Sequence, residues 1–191
     1  DLRIEEKTDP RAGEGEILAE VLACGICGTD RHIYHGQFDT TPPVVPGHEY
    51  TGRIVEVGEG VCDLDVGDCV AVDPNIHCGM CRYCRRGDIH LCENLRALGV
   101  DIDGGFAEMA VIPRQQCYLL PPSVPPLEGA LIEPLACCVH GIDLAEVGVG
   151  DRVVVIGGGL IGQMLAQLAR LRGAGYVALS DPLPRRRGMA L

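Results

Sequence analysis

The sequence predicts two domains in tandem, a β-rich domain followed by the beginning of an α/β domain. Short apolar segments separated by Gly-rich and Pro-rich joints, typical of strands, fill about the first two thirds of the chain. After the proline-rich segment 121–126 the pattern changes to helix, strand, glycine loop, helix and strand. We place the boundary after residue 134, which gives domains 1–134 and 135–191.

Each element is predicted from its local pattern. Four apolar runs bounded by turn residues predict strands at 16–22, 52–57, 69–72 and 106–112. The later pattern predicts a helix within 127–146, a strand at 152–156, a helix whose apolar residues recur at every fourth position from 160 to 169, and a strand at 176–180. The β-branched run at 152–156 is typical of a parallel strand that is buried on both faces.

Charge and hydropathy exclude several classes of partner. The 191 residues include 27 acidic and 16 basic side chains, a formal net charge of −11. Since no dense basic segment precedes Arg185–Arg187, this charge argues against nucleic acid or an anionic membrane as a partner. No apolar run approaches the ~18 residues of a membrane span. The start lacks the basic and apolar regions of a secretory signal, so we expect a cytoplasmic protein.

A glycine loop follows the strand at 152–156 and has the pattern G-x-G-x-x-G. Its glycines allow a tight turn, a close approach of the backbone to a pyrophosphate and close packing of helix on strand, while the helix N-terminus supplies N–H donors. Because strand, loop and helix occur in this order, we predict a dinucleotide site. The predicted coenzyme contacts are Gly157, Gly159, Leu160, Ile161, Gly162 and Asp181.

Asp181 comes directly after the strand at 176–180, where a carboxylate accepts hydrogen bonds from the ribose hydroxyls. A carboxylate there repels a 2′-phosphate, so Asp181 favours NAD over NADP. The basic triplet Arg185–Arg187 follows, and two interpretations of it are open: a solvated start of a helix, which we favour, and recognition of a phosphate.

Four of the eleven cysteines form a cluster with the spacing C-x2-C-x2-C-x7-C in the lobe 78–92. They are Cys78, Cys81, Cys84 and Cys92. Four thiolates satisfy a tetrahedral Zn²⁺ and leave no open position, so we predict a structural zinc site. The bacterial iron–sulfur motif has a different fourth spacing and a following proline. An odd total in a chain of this length predicts thiols rather than a disulfide framework.

A second set of metal-binding residue types is dispersed over three segments: 24–32 with Cys24, Cys27, Asp30 and His32, 47–49 with His48 and Glu49, and 133–134 with Glu133. Taken singly, a cysteine beside apolar residues is usually a core thiol, and a loop histidine is usually a surface residue. Together they supply thiolate, imidazole and carboxylate, the mixed set that leaves zinc a fourth position for water or substrate.

These motifs together resemble the zinc-dependent medium-chain dehydrogenase/reductase superfamily, in its polyol and threonine dehydrogenase branch. The resemblance runs through the whole chain and includes G-H-E at 47–49, the four-cysteine lobe, L-I-E-P-L at 131–135 and the glycine loop. It implies a GroES-like β-barrel domain followed by the start of a doubly wound Rossmann domain.

The resemblance also implies metal ligands. Cys27 and His48 would bind the catalytic zinc, with Glu49 as a third or alternating ligand. Glu133 stands where the alcohol dehydrogenase branch carries a second cysteine, so the choice between Glu49 and Glu133 is open. The implied cofactors are two zinc ions, one catalytic and one structural, and NAD.

The implied reaction is the oxidation of a secondary alcohol, such as a polyol, an amino alcohol or a cyclitol, to a ketone by hydride transfer to NAD. Asp30 would orient His48, Thr29 would contact the alcohol of the small-molecule substrate, and His32 would be the outer end of a proton relay. Tyr34 and the segment 36–38 would line the pocket.

Members of this superfamily are considerably longer, so the resemblance implies a C-terminally truncated fragment that is inactive alone, and a homo-oligomer, dimer or tetramer, at full length. The alternative is an inactive zinc-stabilised module. A zinc-free quinone reductase of the same superfamily fits poorly, because those enzymes lack the pair Cys27 and His48.

Overall fold

The computed structural model describes residues 2–40 and 42–190, which fall into two units, Asp1–Glu133 and Pro134–Leu191. The strands of the first unit are β1 (Glu16–Cys24), β2 (Tyr50–Val57), β3 (Cys69–Val72), β4 (Asn75–Ile76), β5 (Arg96–Ala97), β6 (Met109–Pro113) and β7 (Cys117–Leu119). Its helices are α1 (Gly28–Tyr34) and α2 (Pro126–Gly129), with short 3₁₀ turns at Cys84–Arg86, Ile89–Leu91 and Arg114–Gln116.

An antiparallel sheet with the order β6-β1-β2-β3-β7 forms the main part of the first unit, and β4 and β5 pair in a separate two-stranded sheet. This architecture confirms the β-rich domain. The register between β1 and β2 shifts at Leu18/Ala19 and again between Val21 and Ala23. Such shifts increase the local twist and bend a sheet. The buried core residues are Ile17, Ala19, Tyr50, Ile54, Leu64, Val70, Val72, Leu98, Ala110, Ile112 and Cys117.

The predicted strand at 106–112 begins later than expected, at Met109. The backbone N–H of Gly105 donates to the carbonyl of Gly47, and that of Phe106 donates to the carbonyl of Pro46. These bonds hold the segment against the G-H-E motif instead of the sheet. Strand β2 begins two residues earlier than predicted, at Tyr50, directly after that motif.

The second unit alternates helices and strands. Its elements are α3 (Ile132–Leu144), which begins just before the unit, β8 (Arg152–Ile156), α4 (Leu160–Leu171), β9 (Tyr176–Ser180) and α5 (Pro184–Gly188). Strands β8 and β9 are parallel and pair in register. Both have the predicted bounds, and the strand, loop, helix and strand order is confirmed.

The predicted helix within 127–146 is present as α3, and a separate short helix, α2, precedes it across a turn at residues 130–131. One local prediction is wrong. Strand β8 is buried on one face only: Val155 is 8% exposed and Ile156 is 89% exposed, since successive side chains point to opposite faces. Among the described helices, none has both the length and the apolar character that crossing a membrane requires.

Candidate active site

Asp30 links the two segments that carry Cys27 and His48. Helix α1 begins directly after Cys27, and Asp30 lies buried in its first turn. Its Oδ2 accepts a hydrogen bond from the backbone N–H of Cys27 at 2.8 Å, and its Oδ1 accepts one from the N–H of Gly47 at 3.3 Å. The bond to Cys27 satisfies a donor that the start of a helix otherwise leaves unpaired. One carboxylate therefore sets the spacing of two ligand segments.

The same carboxylate lies beside the imidazole of His48, with Nδ1 3.5 Å from Oδ1 of Asp30. Burial disfavours the charged imidazole, but Asp30 and the sulfur of Cys27 outweigh burial and raise the pKa of His48 to about 9. Burial likewise opposes ionisation of Asp30, yet His48 and the two N–H donors keep its pKa below the ordinary value. A carboxylate at Nδ1 is the usual partner of a histidine that binds a metal through Nε2.

Cys27, His48 and Glu49 bring ligand atoms together that all lie within 4.8 Å of one another. Nδ1 of His48 is buried and makes no hydrogen bond of ordinary geometry in the described part of the chain; it faces Oδ1 of Asp30 at 3.5 Å. Gly25 permits the approach of Glu49, because a Cβ there would collide with the Glu49 carboxylate. Thiolate, imidazole and carboxylate are a donor set that fits Zn²⁺ with one position left open.

The group of three does not include Glu133, the fourth predicted ligand. Glu133 is half-buried in the first turn of α3 and has interactions of its own. Within the described residues, Glu49 is thus the carboxylate that accompanies Cys27 and His48.

Thr29 and His32, the residues of the predicted proton relay, both lie on α1. Oγ1 of Thr29 is 3.7 Å from Sγ of Cys27, and Thr29 is half-buried. His32 is exposed, and its Nδ1 is 3.0 Å from Oε1 of Gln37. Residues three apart on a helix share one side, so Thr29 and His32 lie on the same side of α1.

An open cavity of about 640 Å³ adjoins Asp30. Its lining residues are Leu2, Arg3, Ile26, Asp30, Arg31, Tyr34, Pro46 and Phe106. Tyr34 lines it as predicted, whereas the segment 36–38 is absent from this lining. Phe106 was not expected here, because the sequence pattern placed it in a strand.

The four cysteines of the lobe 78–92 converge, with all four sulfurs within 4.8 Å of one another. Cys84 Sγ is 3.5 Å from Cys81 Sγ and 4.0 Å from Cys78 Sγ. Tetrahedral bonds of about 2.3 Å to zinc place sulfurs roughly 3.8 Å apart, so the spacing fits this ion. Backbone N–H groups of Met80 and Cys81 lower the pKa of Cys78 to about 6, which favours the thiolate that a metal binds. No disulfide joins the cysteines of the described residues.

The glycine loop between β8 and α4 has the backbone that its pattern predicts. Gly157 has a φ of 106°, which favours glycine, and a Cβ on Gly162 would collide with the carbonyl of Gly157. Gly159 precedes α4 and faces open space, with no atom within 4 Å of where a Cβ would stand. Leu160 and Ile161 are 48% and 47% exposed beside this space. The loop and the α4 N-terminus therefore form a cradle that fits a pyrophosphate.

Asp181 is buried directly after β9 and contacts the loop. Its Oδ2 accepts a hydrogen bond from the N–H of Gly158 and its Oδ1 one from the N–H of Leu183, both at 2.8 Å. These N–H groups lower the pKa of the Asp181 carboxyl. The sequence analysis gave Gly158 no role, although Gly158 is the middle residue of a run of three glycines. The structure explains this glycine, because a Cβ at Gly158 would crowd Leu179 and Asp181.

Comparison with known proteins agrees with this architecture. The family model of the alcohol dehydrogenase GroES-like domain matches residues 13–122. An L-threonine 3-dehydrogenase from Pyrococcus horikoshii is 44% identical over 185 residues, which cover 95% of this chain and 53% of that protein. A sorbitol dehydrogenase from Halalkalibacterium halodurans is 40% identical over 171 residues, covering 89% of this chain and 50% of that protein. The chain thus spans about half the length of the curated relatives it matches.

Two solved structures have the same fold. One is a protein from Sinorhizobium meliloti 1021, provisionally named a zinc-binding dehydrogenase and bound to NADP, with a TM-score of 0.93 and 49% identity over 95% of this chain and 53% of that chain. The other is an alcohol dehydrogenase from Escherichia coli CFT073 in complex with NADH, with a TM-score of 0.92 and 37% identity over 100% of this chain and 56% of that chain.

These matches confirm the predicted fold class, a GroES-like domain followed by the start of a Rossmann domain. The fold is thus similar to that of zinc-binding dehydrogenases. The chain belongs to the medium-chain dehydrogenase/reductase superfamily, as its motifs predicted.

Proposed function

We propose that the full gene product is a zinc-dependent, NAD-linked dehydrogenase that oxidises a secondary alcohol, in the class of polyols, amino alcohols and cyclitols, to a ketone. The observation that carries this proposal is the convergence of Cys27, His48 and Glu49 around Asp30, a residue that also lines an open cavity. The names of the relatives, a threonine and a sorbitol dehydrogenase, support this substrate class.

In this proposal, the residues of the candidate active site bind the metal, orient a metal ligand and transfer a proton. Cys27, His48 and Glu49 would hold the catalytic metal, and Asp30 would fix the ring of His48 through Nδ1. Bound zinc would supply Lewis acidity toward the alcohol, and bound NAD the hydride acceptor. Thr29 would receive the alcohol proton and pass it along α1 toward the solvent.

At the outer end of that path, His32 would exchange the proton with water through its exposed ring. Glu49 takes the place of third ligand in this proposal because it belongs to the converging group, and a role for Glu133 stays a prediction. The four-cysteine lobe would hold a second zinc with a structural role.

The glycine loop would bind the coenzyme. The cradle in front of α4 would hold the pyrophosphate, and Asp181 would accept hydrogen bonds from the adenosine ribose. The structures solved with NADP and with NADH support a nicotinamide coenzyme of either kind, and Asp181 favours NAD. The homo-oligomeric state and the cytoplasmic location stay predictions.

The test is a screen for NAD reduction by the full gene product with sugar alcohols, amino alcohols and cyclitols. We expect turnover with one of these classes and its loss in Cys27→Ser. The variant Cys62→Ser, which changes an exposed cysteine outside both metal groups, is the matched control. Absence of turnover with every class would favour the alternative, an inactive zinc-stabilised module.

A further inference from the structure

The segment 103–106 lies against the residues that lead into His48. Its backbone N–H groups bond to the three carbonyl groups that precede this histidine. Gly104 donates to the carbonyl of Val45 at 2.8 Å, Phe106 to that of Pro46 at 2.9 Å and Gly105 to that of Gly47 at 2.7 Å. Gly104 and Gly105 are buried, and hydrogen bonds away from bulk water are stronger than exposed ones. A segment distant in sequence thus fixes the backbone before His48.

Gly47, the residue directly before His48, is held from two sides. Its N–H donates to Oδ1 of Asp30 at 3.3 Å, and its carbonyl accepts the bond from segment 103–106. Its φ of 90° lies in the left-handed region that favours glycine. A Cβ on Gly104 would lie 2.2 Å from the carbonyl oxygen of Gly47, so the two backbones are in direct contact. A shift of segment 103–106 would therefore move the residue that precedes His48.

Asp103 is the side chain that connects this segment to the same region. Its Oδ1 accepts a hydrogen bond from the N–H of Val45 at 2.8 Å, while the carbonyl of Val45 accepts the bond from Gly104. Both backbone polar groups of Val45 are thus bonded to two consecutive residues. Oδ2 of Asp103 lies 2.8 Å from Nζ of Lys7, and both of these side chains are exposed. Because exposed ion pairs contribute little, we expect the bond to Val45 to be the contact that matters.

We propose that Asp103 is a positioning residue for the candidate metal group. By holding Val45, it keeps the segment 45–47 in place, and this segment sets where the imidazole of His48 lies relative to Cys27. The inference rests on the metal group of the proposed function and does not depend on which alcohol is oxidised. Partners that orient a metal ligand directly change metal affinity by about 10- to 100-fold. Since Asp103 acts through the backbone and not on the ring, a smaller effect follows.

The experiment measures zinc binding at the candidate metal group of the full gene product. Dialysis against a chelator removes the labile ion expected there and leaves the ion of the four-cysteine lobe, and Zn²⁺ is then titrated back in competition with a chromogenic chelator. We expect Asp103→Ala to weaken this binding by about three- to tenfold. Co²⁺ bound at the emptied site should also show a changed visible spectrum, because the arrangement of its ligands changes. Asp103→Asn keeps an oxygen acceptor for Val45 and should restore the affinity to within about twofold of the wild type.

Asp101→Ala is the matched control. Asp101 is an exposed acid in the same loop, and its Oδ2 accepts the N–H of Ala97 at 2.8 Å, a bond that does not involve the segment 45–49. Both alanine variants should lower the melting temperature by similar amounts, but Asp101→Ala should leave the zinc affinity and the Co²⁺ spectrum unchanged. Lys7→Met removes the ion pair and keeps the bond to Val45, so it should change the zinc affinity by less than about twofold.

Unchanged zinc affinity in Asp103→Ala would overturn the inference. Equal weakening in the two alanine variants would also overturn it, because the loop would then act on general stability. Loss of both metal ions in Asp103→Ala would overturn it for the same reason. A wild type that binds the labile zinc but oxidises no alcohol would remove the proposed function and leave this inference standing. A wild type without labile zinc would overturn the candidate metal group, and the inference with it.

Discussion

Oδ1 of Asp30 lies 3.5 Å from Nδ1 of His48, and both side chains are buried. Because Asp30 also accepts the N–H bonds of Cys27 and Gly47, it positions the thiolate segment and the imidazole segment together. We therefore expect Asp30 to act as a positioning residue for the candidate metal group, through its contacts with these neighbours.

Asp30→Asn tests this role. The amide keeps the size of the side chain but loses the charge at Nδ1 of His48, so we expect binding of the labile zinc to weaken by about 10- to 100-fold. The loss of a charged acceptor at the start of α1 should cost about 1 kcal/mol of stability. Competition with a chelator measures the affinity, and Asp39→Asn, an exposed acid shortly after α1, is the control. Unchanged zinc affinity would contradict the positioning role.

Metal content is the second prediction. Two separate ligand groups lead us to expect about two zinc ions per full gene product, one resistant to chelation and one labile. Elemental analysis before and after dialysis against a chelator measures both. Cys78→Ser should remove the resistant ion only. If the wild type holds a single metal ion and Cys78→Ser holds none, the assignment of a catalytic zinc site is wrong.

The third prediction separates the two metal groups by their effects. Cys27→Ser should reduce turnover by several orders of magnitude with near-normal thermal stability, because the alcohol loses its Lewis acid. Cys92→Ser should lower the melting temperature first and activity only as the lobe 78–92 loosens, because closed zinc sites contribute folding free energy. His32→Ala should cost about 10²-fold in turnover, most at low pH where solvent base is scarce. Ordinary activity in Cys27→Ser would contradict the assignment of Cys27 as a ligand of the catalytic zinc.

The parts of the site that could be predicted from sequence are those whose residues lie close together in one short segment. The four cysteines and the glycine loop each lie in one short segment, so their convergence follows from spacing and from the strand, turn and helix order. Cys27 and His48 are distant in sequence. Their partnership was predicted from family resemblance, and the structure adds the shared Asp30.

The unpredicted features depend on contacts between distant segments. Gly25 packs on Glu49 and Gly105 bonds to Gly47, and neither contact has a local sequence pattern. Helix α1 was also missed. Seven residues are too few for a recognisable apolar period, and a helix this short depends on packing and capping by residues such as Asp30.

The fourth prediction concerns pH. Arg114 holds the Asp63 carboxylate with two hydrogen bonds, at 2.7 and 2.5 Å, and lowers the pKa of Asp63. The pKa of Asp63 is lower in the folded state than its value of about 3.9 in the unfolded state. The ion pair with Arg114 therefore stabilises the fold at a pH above about 3.9. This stabilisation is lost as the pH falls through the pKa that Asp63 has in the folded state. Asp63→Asn should therefore lower the melting temperature slightly at pH 7, and the difference from wild type should shrink as the pH falls below about 3.9.

Thermal unfolding at pH 7, 5, 4 and 3 measures this difference. Asp65→Asn changes an exposed acid in the same loop and should leave the melting temperature nearly unchanged. A difference between wild type and Asp63→Asn that does not shrink between pH 5 and pH 3 would show that the variant acts through packing and not through the ion pair.

The last prediction tests the close packing of the glycine loop. A Cβ on Gly162 would collide with the carbonyl oxygen of Gly157, which is backbone and cannot turn away like a flexible side chain. Gly162→Ala should therefore displace the loop, cost about 1–3 kcal/mol of stability and weaken 5′-AMP binding. Gly188→Ala is the control, because no atom lies within 4 Å of its Cβ position and alanine favours helix. Thermal unfolding and calorimetry measure both variants. Equal behaviour of the two would contradict the close approach of α4 to the loop, and with it the cradle on which the coenzyme site depends.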